Sequence, residues 1–334
     1  MNKKRLSFLI SLMVAVFVLT ATLGILAGCN KRNSKAVPQP RQKSPAVLAT
    51  EKISEYNHPE AVISVHELNE NLDNPNLAII DTRGRSYQVF MATFPLGHIP
   101  GAIPILHDEY SHPAFFDRIA PPLQVQKVLG EKSINNQKRI VLYGNEGSQA
   151  RIYWMLKMYG CDNQIQILDG GIEKWKAAGY ETSAALLPVT PSQFVVNPAK
   201  SDPNIYTNLE EVVDSILNYT PNTIIVDTRT QHEYLCGHIP VSVNISPNDI
   251  LNEDSTFKPE SELAAILATK GVTPNKKVLV YCNDGVLSSL LWYVLHELMG
   301  YTNVKNYDGG FSEWMERELA LEYGEQKLVV KPAQ

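Results

Sequence analysis

The sequence predicts an α/β chain of two tandem domains, each a parallel sheet with helices on both faces. Three observations carry that prediction: a long internal repeat, an alternation of branched apolar runs with amphipathic stretches, and a composition suited to two cores. The repeat organises the rest. Leu77-Ala-Ile-Ile-Asp-Thr-Arg83 returns as Thr223-Ile-Ile-Val-Asp-Thr-Arg229, and Gly97-His-Ile-Pro100 returns as Gly237-His-Ile-Pro240. Arg139-Ile-Val-Leu-Tyr143 returns as Lys277-Val-Leu-Val-Tyr281, and Asp169-Gly-Gly-Ile-Glu-Lys-Trp175 returns as Asp308-Gly-Gly-Phe-Ser-Glu-Trp314. The offsets are 146, 140, 138 and 139 residues, so order is kept and one domain is duplicated.

Residues 1–29 read as a targeting segment outside the fold. Lys3-Lys4-Arg5 is a basic start, Leu6 to Leu26 is mostly apolar, and Leu26-Ala27-Gly28-Cys29 sets small residues before a cysteine. This resembles the bacterial lipobox, which implies cleavage before Cys29 and lipid on its thiol, the acyl chains partitioning into the bilayer. An uncleaved helix is the other reading, since roughly 20 apolar residues span a bilayer. Both leave the basic end inside and the body outside. The expectation is a lipid-anchored, extracytoplasmic protein at the cell membrane. Residues 30–57, with Lys31-Arg32, Pro38, Pro40 and Pro45, read as a flexible tether.

The first domain spans 58–185, a linker 186–205, the second domain 206–324 and a tail 325–334. In the first copy, Ile79-Ile80, Ile140 to Leu142 and Ile165 to Leu168 read as buried strands. Val65 to Leu72, Ala150 to Tyr159 and Ile172 to Ala178 read as helices. The second copy places strands at Ile224 to Asp227, Val278 to Tyr281 and Val304 to Tyr307. Its helices are Leu209 to Leu217, Glu260 to Lys270, Ser288 to Met299 and Phe311 to Leu319. Such alternation builds a parallel sheet covered on both faces, and ligands then sit at the carboxyl ends of strands. The loops after Tyr143 and Tyr281 are the places to look.

Composition agrees. Of 334 residues, 44% are hydrophobic and 19% charged, enough for two cores. Net charge is −5, and losing the three cations of residues 1–29 takes it to −8. No basic surplus exists to neutralise phosphates, which argues against nucleic acid as a partner.

The second loop runs Tyr281-Cys282-Asn283-Asp284-Gly285-Val286-Leu287-Ser288 from a strand into a helix. Backbone N–H groups and a helix dipole there favour thiolate, so Cys282 is expected to have a lowered pKa and to act as a nucleophile. Gly285 lets the loop curl tightly. A buried, inert cysteine at a strand end is the bland alternative. The first loop reads Tyr143-Gly144-Asn145-Glu146-Gly147-Ser148, with glycine where the nucleophile would stand.

Asp-Thr-Arg, Gly-His-Ile-Pro, Tyr-Cys-x-x-Gly and Asp-Gly-Gly-x-x-x-Trp, in this order and in two copies, resemble the tandem-domain rhodaneses from about His58 to Tyr323. The resemblance implies two rhodanese-like domains, only the second catalytic. It implies transfer of sulfane sulfur from thiosulfate or 3-mercaptopyruvate to cyanide or a thiol through a Cys282 persulfide, with no metal or organic cofactor. The partners are then a small sulfur donor and a thiol acceptor, with residues Asn283 to Ser288 cradling the anion. The first domain would close one side of a cleft over Cys282. Phosphatase relatives of this fold end the loop in an arginine that grips phosphate; Leu287 and Ser288 stand there instead.

Three departures from the family pattern bear on the function. Asp284 and Leu287 replace cationic or hydroxyl groups, and an acid beside sulfur opposes both thiolate and thiosulfate. Gly-His-Ile-Pro continues to Gly101-Ala102 in one copy but Val241-Ser242 in the other. Glu233 stands where a second arginine is found. Arg229 is then the remaining donor-binding cation, or else it makes a structural ion pair, while Asp227 holds loops together. His98 and His238 read as structural hydrogen-bonders, without the ligand cluster a metal needs. Cys236 could resolve a persulfide or form a disulfide, or be a free, partly buried thiol. Cys161 reads as core, as do Trp175 and Trp314. A non-catalytic binding or scaffold lipoprotein of the same fold is the competing reading.

Overall fold

A computed structural model describes residues 43–115, 118–186 and 188–325. The targeting segment with Cys29, and the tether as far as Gln42, lie outside the described residues. Both copies belong to one unit that begins at Lys43.

Each copy forms a five-stranded sheet in which every pairing is parallel. In the first, β1 (Val62–Ile63), β2 (Leu77–Asp81), β3 (Ala102–Pro104), β4 (Arg139–Tyr143) and β5 (Ile165–Leu168) lie in the order β1-β5-β4-β2-β3. In the second, β6 (Tyr206–Thr207), β7 (Thr223–Asp227), β8 (Ser242–Asn244), β9 (Lys277–Tyr281) and β10 (Val304–Tyr307) repeat it as β6-β10-β9-β7-β8. The registers match: Asp81 pairs with Tyr143, and Asp227 with Tyr281. The central strands are buried on both faces, which is why they read as unbroken apolar runs. The flanking β1, β3, β6 and β8, two or three residues each, are too short to show a period.

The helices follow the same scheme, including Val65–Glu70, Ser148–Met158, Gly171–Ala177 and Leu209–Leu217. The stretch from Ser288 is α-helical to Tyr293 and then widens into a π-turn over Val294–Leu298. Tyr87–Thr93, Pro122–Glu131 and Gln231–Leu235 were not foreseen. Tyr87–Thr93 buries no residue, so it has no apolar stripe to read.

The tether reading is corrected at its C-terminal end. Pro45–Ser54 is a helix, with the Ser44 hydroxyl accepting from Val47 N–H and Pro45 in the first turn. Ile53 and Tyr56, three residues apart, are buried by that helix and its exit, and Tyr56 Oη donates to Lys258 O at 2.9 Å.

The two copies share a core. Tyr153 on Ser148–Met158 meets Tyr293 edge-on at 4.9 Å, and Trp154 and Trp292 are fully buried in the same cluster. Each such side chain contributes roughly 1.5–3 kcal/mol by burial. Smaller clusters lie under Trp175 and Trp314, as the sequence suggested.

The Asp-Gly-Gly aspartates exchange partners across this interface. Asp169 accepts from Lys52 Nζ at 2.5 Å and from Phe257 N–H at 2.8 Å in the second copy. Asp308 pairs with Arg151 of the first copy and lies 3.4 Å from Ile119 N–H. Arg151 and Asp308 are nearly fully buried, so leaving either alone strands a charge. Arg151→Ala is expected to lower stability by about 3–5 kcal/mol in urea unfolding of the full chain; a loss under about 1 kcal/mol would show the pair to be solvated.

Candidate functional site

The site stands where β9 ends. Cys282 is the first residue after Tyr281, and Ser288 opens the next helix. Gly285 has φ +72°, the left-handed region, and a Cβ there would come within 2.8 Å of Asp308 O and Arg151 Nη1. Glycine is required at Gly310 as well, where a Cβ would press on Cys282 O and Asn283 O. The bare backbone lets the helix Gly310–Glu316 dock on the loop, Phe311 N–H donating to Cys282 O at 2.7 Å and Ser312 N–H to Asn283 O at 2.9 Å. The repeated Asp-Gly-Gly is therefore part of the site, which its sequence did not reveal.

Cys282 is 2% exposed and borders a cleft of about 1340 Å³ lined by both copies. Its Sγ lies 3.5 Å from Asp284 Oδ1 and 3.5 Å from Ser288 Oγ. The Ser288 hydroxyl donates to Asn306 Oδ1 at 2.7 Å, and Asn306 Nδ2 donates to Gly285 O at 3.0 Å, which pins the loop. Burial, with Asp284 adding to it, pushes the thiol up to about 11, against the hydrogen bonds of Ser288 and of the Ser288 and Asp284 backbone. The expected lowering of this cysteine is thus corrected: the N–H groups are in place, but desolvation and a neighbouring carboxylate outweigh them. At rest the sulfur is a thiol.

Asp284 is not left as a bare acid. Burial raises its carboxyl, but Arg85 of the first copy, the Val286 N–H at 3.1 Å and Arg151 hold it below its ordinary value. Asn283 is exposed and donates to Glu233 Oε1 at 3.2 Å. Val286 is buried, and Leu287 packs its backbone against Gly147 of the first copy. Arg85 and Arg151 were missed because their side chains reach across to a domain far away in sequence.

Arg229 lines the cleft and is held in an ion pair with its own Asp227. Its Nε and Nη2 donate to Asp227 at 3.1 and 2.7 Å, Nη2 also reaches Gly237 O at 2.8 Å, and the guanidinium lies 3.7 Å over the Phe311 ring. Tyr281 Oη closes the lock, donating to Asp227 Oδ2 at 2.8 Å. Arg83, Asp81, Gly97 and Tyr143 build the same lock in the copy whose loop has no cysteine. Of the two readings left open, the structure places Arg229 in the ion pair. His238 and His98 are buried, their Nδ1 atoms bonded to Tyr234 O at 2.8 Å and Phe94 O at 2.9 Å.

Cys236 is exposed rather than partly buried, its sulfur 3.8 Å from His232 Nε2. Cys161 is half-buried, and burial with Asp162 pushes its thiol up to about 12. Among the described residues, no group of three or more His, Cys, Asp or Glu could hold a metal. In the first copy, a Cβ on Gly144 would overlap the Thr82 and Ser148 hydroxyls, which bond each other at 2.7 Å. That loop has closed over the space where a cysteine would sit.

The family model for the rhodanese-like domain matches residues 64–178 and 210–317. A Mycobacterium leprae protein carrying a provisional thiosulfate sulfurtransferase name is 32% identical over 274 residues, covering 76% of this chain and 94% of that one. A Saccharopolyspora erythraea protein with the same provisional name is 33% identical, covering 74% and 90%. The sulfur carrier protein TtuD of Thermus thermophilus is 29% identical, covering 78% and 95%. Among solved structures, the anaerobic ergothioneine biosynthesis enzyme of Chlorobium limicola superposes with a TM-score of 0.70 at 23% identity, covering 81% of this chain and 72% of that one. That likeness is one of fold.

Gly144→Cys should not create a second reactive thiol. It is expected to cost about 1–3 kcal/mol from overpacking, read as a lower thermal midpoint, with residue 144 slower to alkylate than Cys236. A stable protein with a fast-reacting residue 144 would contradict the closed loop.

Proposed function

The chain belongs to the rhodanese-like family of sulfurtransferases, and on that premise we propose that Cys282 carries sulfur from a small sulfane donor to a thiol or cyanide. The observation that supports this most is Cys282 itself. It stands at the carboxyl end of a parallel strand, on a pinned loop beside a two-domain cleft, while the matching position in the first copy is a glycine with no room for a side chain.

The proposed chemistry is redox-neutral. Cys282 thiolate attacks the outer sulfur of thiosulfate, the S–S bond breaks, and sulfite leaves with the electron pair. The Cys282 persulfide results. With a mercaptopyruvate-like donor, the C–S bond breaks instead, its electron pair leaving with the carbon as an enolate that takes up a proton. An acceptor thiolate or cyanide then takes the outer sulfur and returns the Cys282 thiolate. The N–H groups of Asp284 and Ser288 are the donors that would hold negative charge on either sulfur, joined by the Ser288 hydroxyl once it turns from Asn306 Oδ1.

The raised thiol favours the second reading, a non-catalytic member of the fold that uses the cleft to bind a partner. Thiosulfate with cyanide, then 3-mercaptopyruvate with a thiol acceptor, separates the two in the full chain. Sulfur transfer is expected with at least one donor, together with a gain of one sulfur atom on the Cys282 peptide, and Cys282→Ser should abolish both. Equal rates from Cys282→Ser and the parent with both donors would support the binding reading.

We also propose that Cys29 carries lipid and holds the protein outside the cytoplasm, on the strength of the basic start and the small residues before it. Cys29→Ser is expected to move the protein from the membrane fraction or leave its precursor uncut. Unchanged fractionation and unchanged mass would contradict the anchor.

A further inference from the structure

Arg85 lies in the first copy, just before the helix Tyr87–Thr93, yet its guanidinium reaches the second copy's sulfur loop. Its Nη2 donates to Asp284 Oδ2, and its Nη1 lies 3.6 Å from Glu146 Oε2. The other oxygen of the same carboxylate, Asp284 Oδ1, faces Cys282 Sγ at 3.5 Å and accepts the Val286 N–H at 3.1 Å. A line of side chains thus crosses the domain interface and ends on the sulfur.

We propose that Arg85 is a positioning residue for Cys282: it keeps Asp284 turned so that one oxygen accepts the thiol's hydrogen bond, and it offsets the carboxylate's charge once the sulfur has lost its proton to solvent and is an anion. This rests on reading Cys282 as the nucleophile. The copy that lacks a nucleophile then contributes electrostatics to the reaction, not only a wall of the cleft.

The other charged and titratable groups around the sulfur already have partners. Arg151 is held by Asp308 and Gly285 O, and Arg229 by Asp227. Glu233 is held by Thr230 and Asn283, and Glu146 faces Arg85. His107 and Tyr110, bonded to each other at 2.9 Å, sense both Arg85 and Asp284. Arg85 alone among the described cations bonds the carboxylate that touches Sγ. Asp284 is also what holds Arg85 there, so the effect of Arg85 on the sulfur must pass through Asp284. A bare acid beside Cys282 raises the thiol, and burial raises it further. Opposite charge at contact distance works the other way.

Alkylation of Cys282 by iodoacetamide in the full chain reads the thiolate fraction, since only the thiolate displaces iodide. Following the Cys282 peptide keeps Cys161 and Cys236 out of the signal. Arg85→Gln is expected to slow alkylation about tenfold below the midpoint, equal to moving the pH profile up by about one unit. Arg85→Lys, which keeps the charge, should recover part of that loss. Asp284→Asn should move the profile down, and adding Arg85→Gln to it should change the rate less than about twofold. Arg85 is about one third exposed, and the Asp284→Asn arm leaves it in place, so the comparison does not depend on one variant folding. The inference is overturned if the Arg85→Gln profile overlays the parent's, or if Arg85→Gln slows alkylation equally with and without Asp284. Sulfur transfer surviving in Cys282→Ser would remove the premise instead. An inactive Cys282→Ser beside an unshifted Arg85→Gln profile would remove only the role of Arg85.

Discussion

Arg151 of the first copy and Asp308 of the second form an ion pair almost without exposure, and the sulfur loop hangs from it. Arg151 also donates to Gly285 O at 3.2 Å, inside the turn that follows Cys282. A buried pair of this kind adds little net stability, because desolvation cancels much of the Coulomb gain. Its effect is to fix one docking geometry: any slip between the copies leaves a guanidinium and a carboxylate unpaired in a dry interface. At the related position Asp169, paired with Lys52 of the N-terminal helix, crosses to the second copy by accepting the Phe257 N–H, so the duplicated halves are fastened at two ends by the same motif.

That docking sets the surroundings of Cys282. On its own domain, the cysteine would sit over loop N–H groups beside Asp284, with the acid working against the anion. The first domain brings Arg85 to that acid and Gly147 to the backbone of Leu287. Burial leads the upward push on the thiol.

Duplication also separates what the fold needs from what the reaction needs. The Asp-Arg-Tyr lock at the strand ends occurs in both copies with nearly the same distances. It survives where no nucleophile exists, so it serves the loops and strand ends. Cys282 and Asp284 have no such counterparts: Gly144 and Glu146 stand in their places. The glycine copy has filled its vacancy with a Thr82–Ser148 hydrogen bond.

Two tandem parallel sheets, the central strands and the lone cysteine loop were all legible in the sequence, because apolar periodicity and a repeat are local patterns along the chain. Gly285 and Asp-Gly-Gly were legible as motifs but not as the close backbone approach that requires them. The helix Pro45–Ser54 was hidden by prolines and by the distance to the residues it covers. What only the tertiary structure decided were the partners of charges. Arg229 turned to its own Asp227, Arg85 to Asp284 and Arg151 to Asp308, and the Cys282 thiol rose to about 11 when loop dipoles suggested a fall. Dipoles are set by local backbone, which a sequence can indicate. Desolvation and long-range pairing are set by which surfaces meet, and only the folded chain brings those surfaces together.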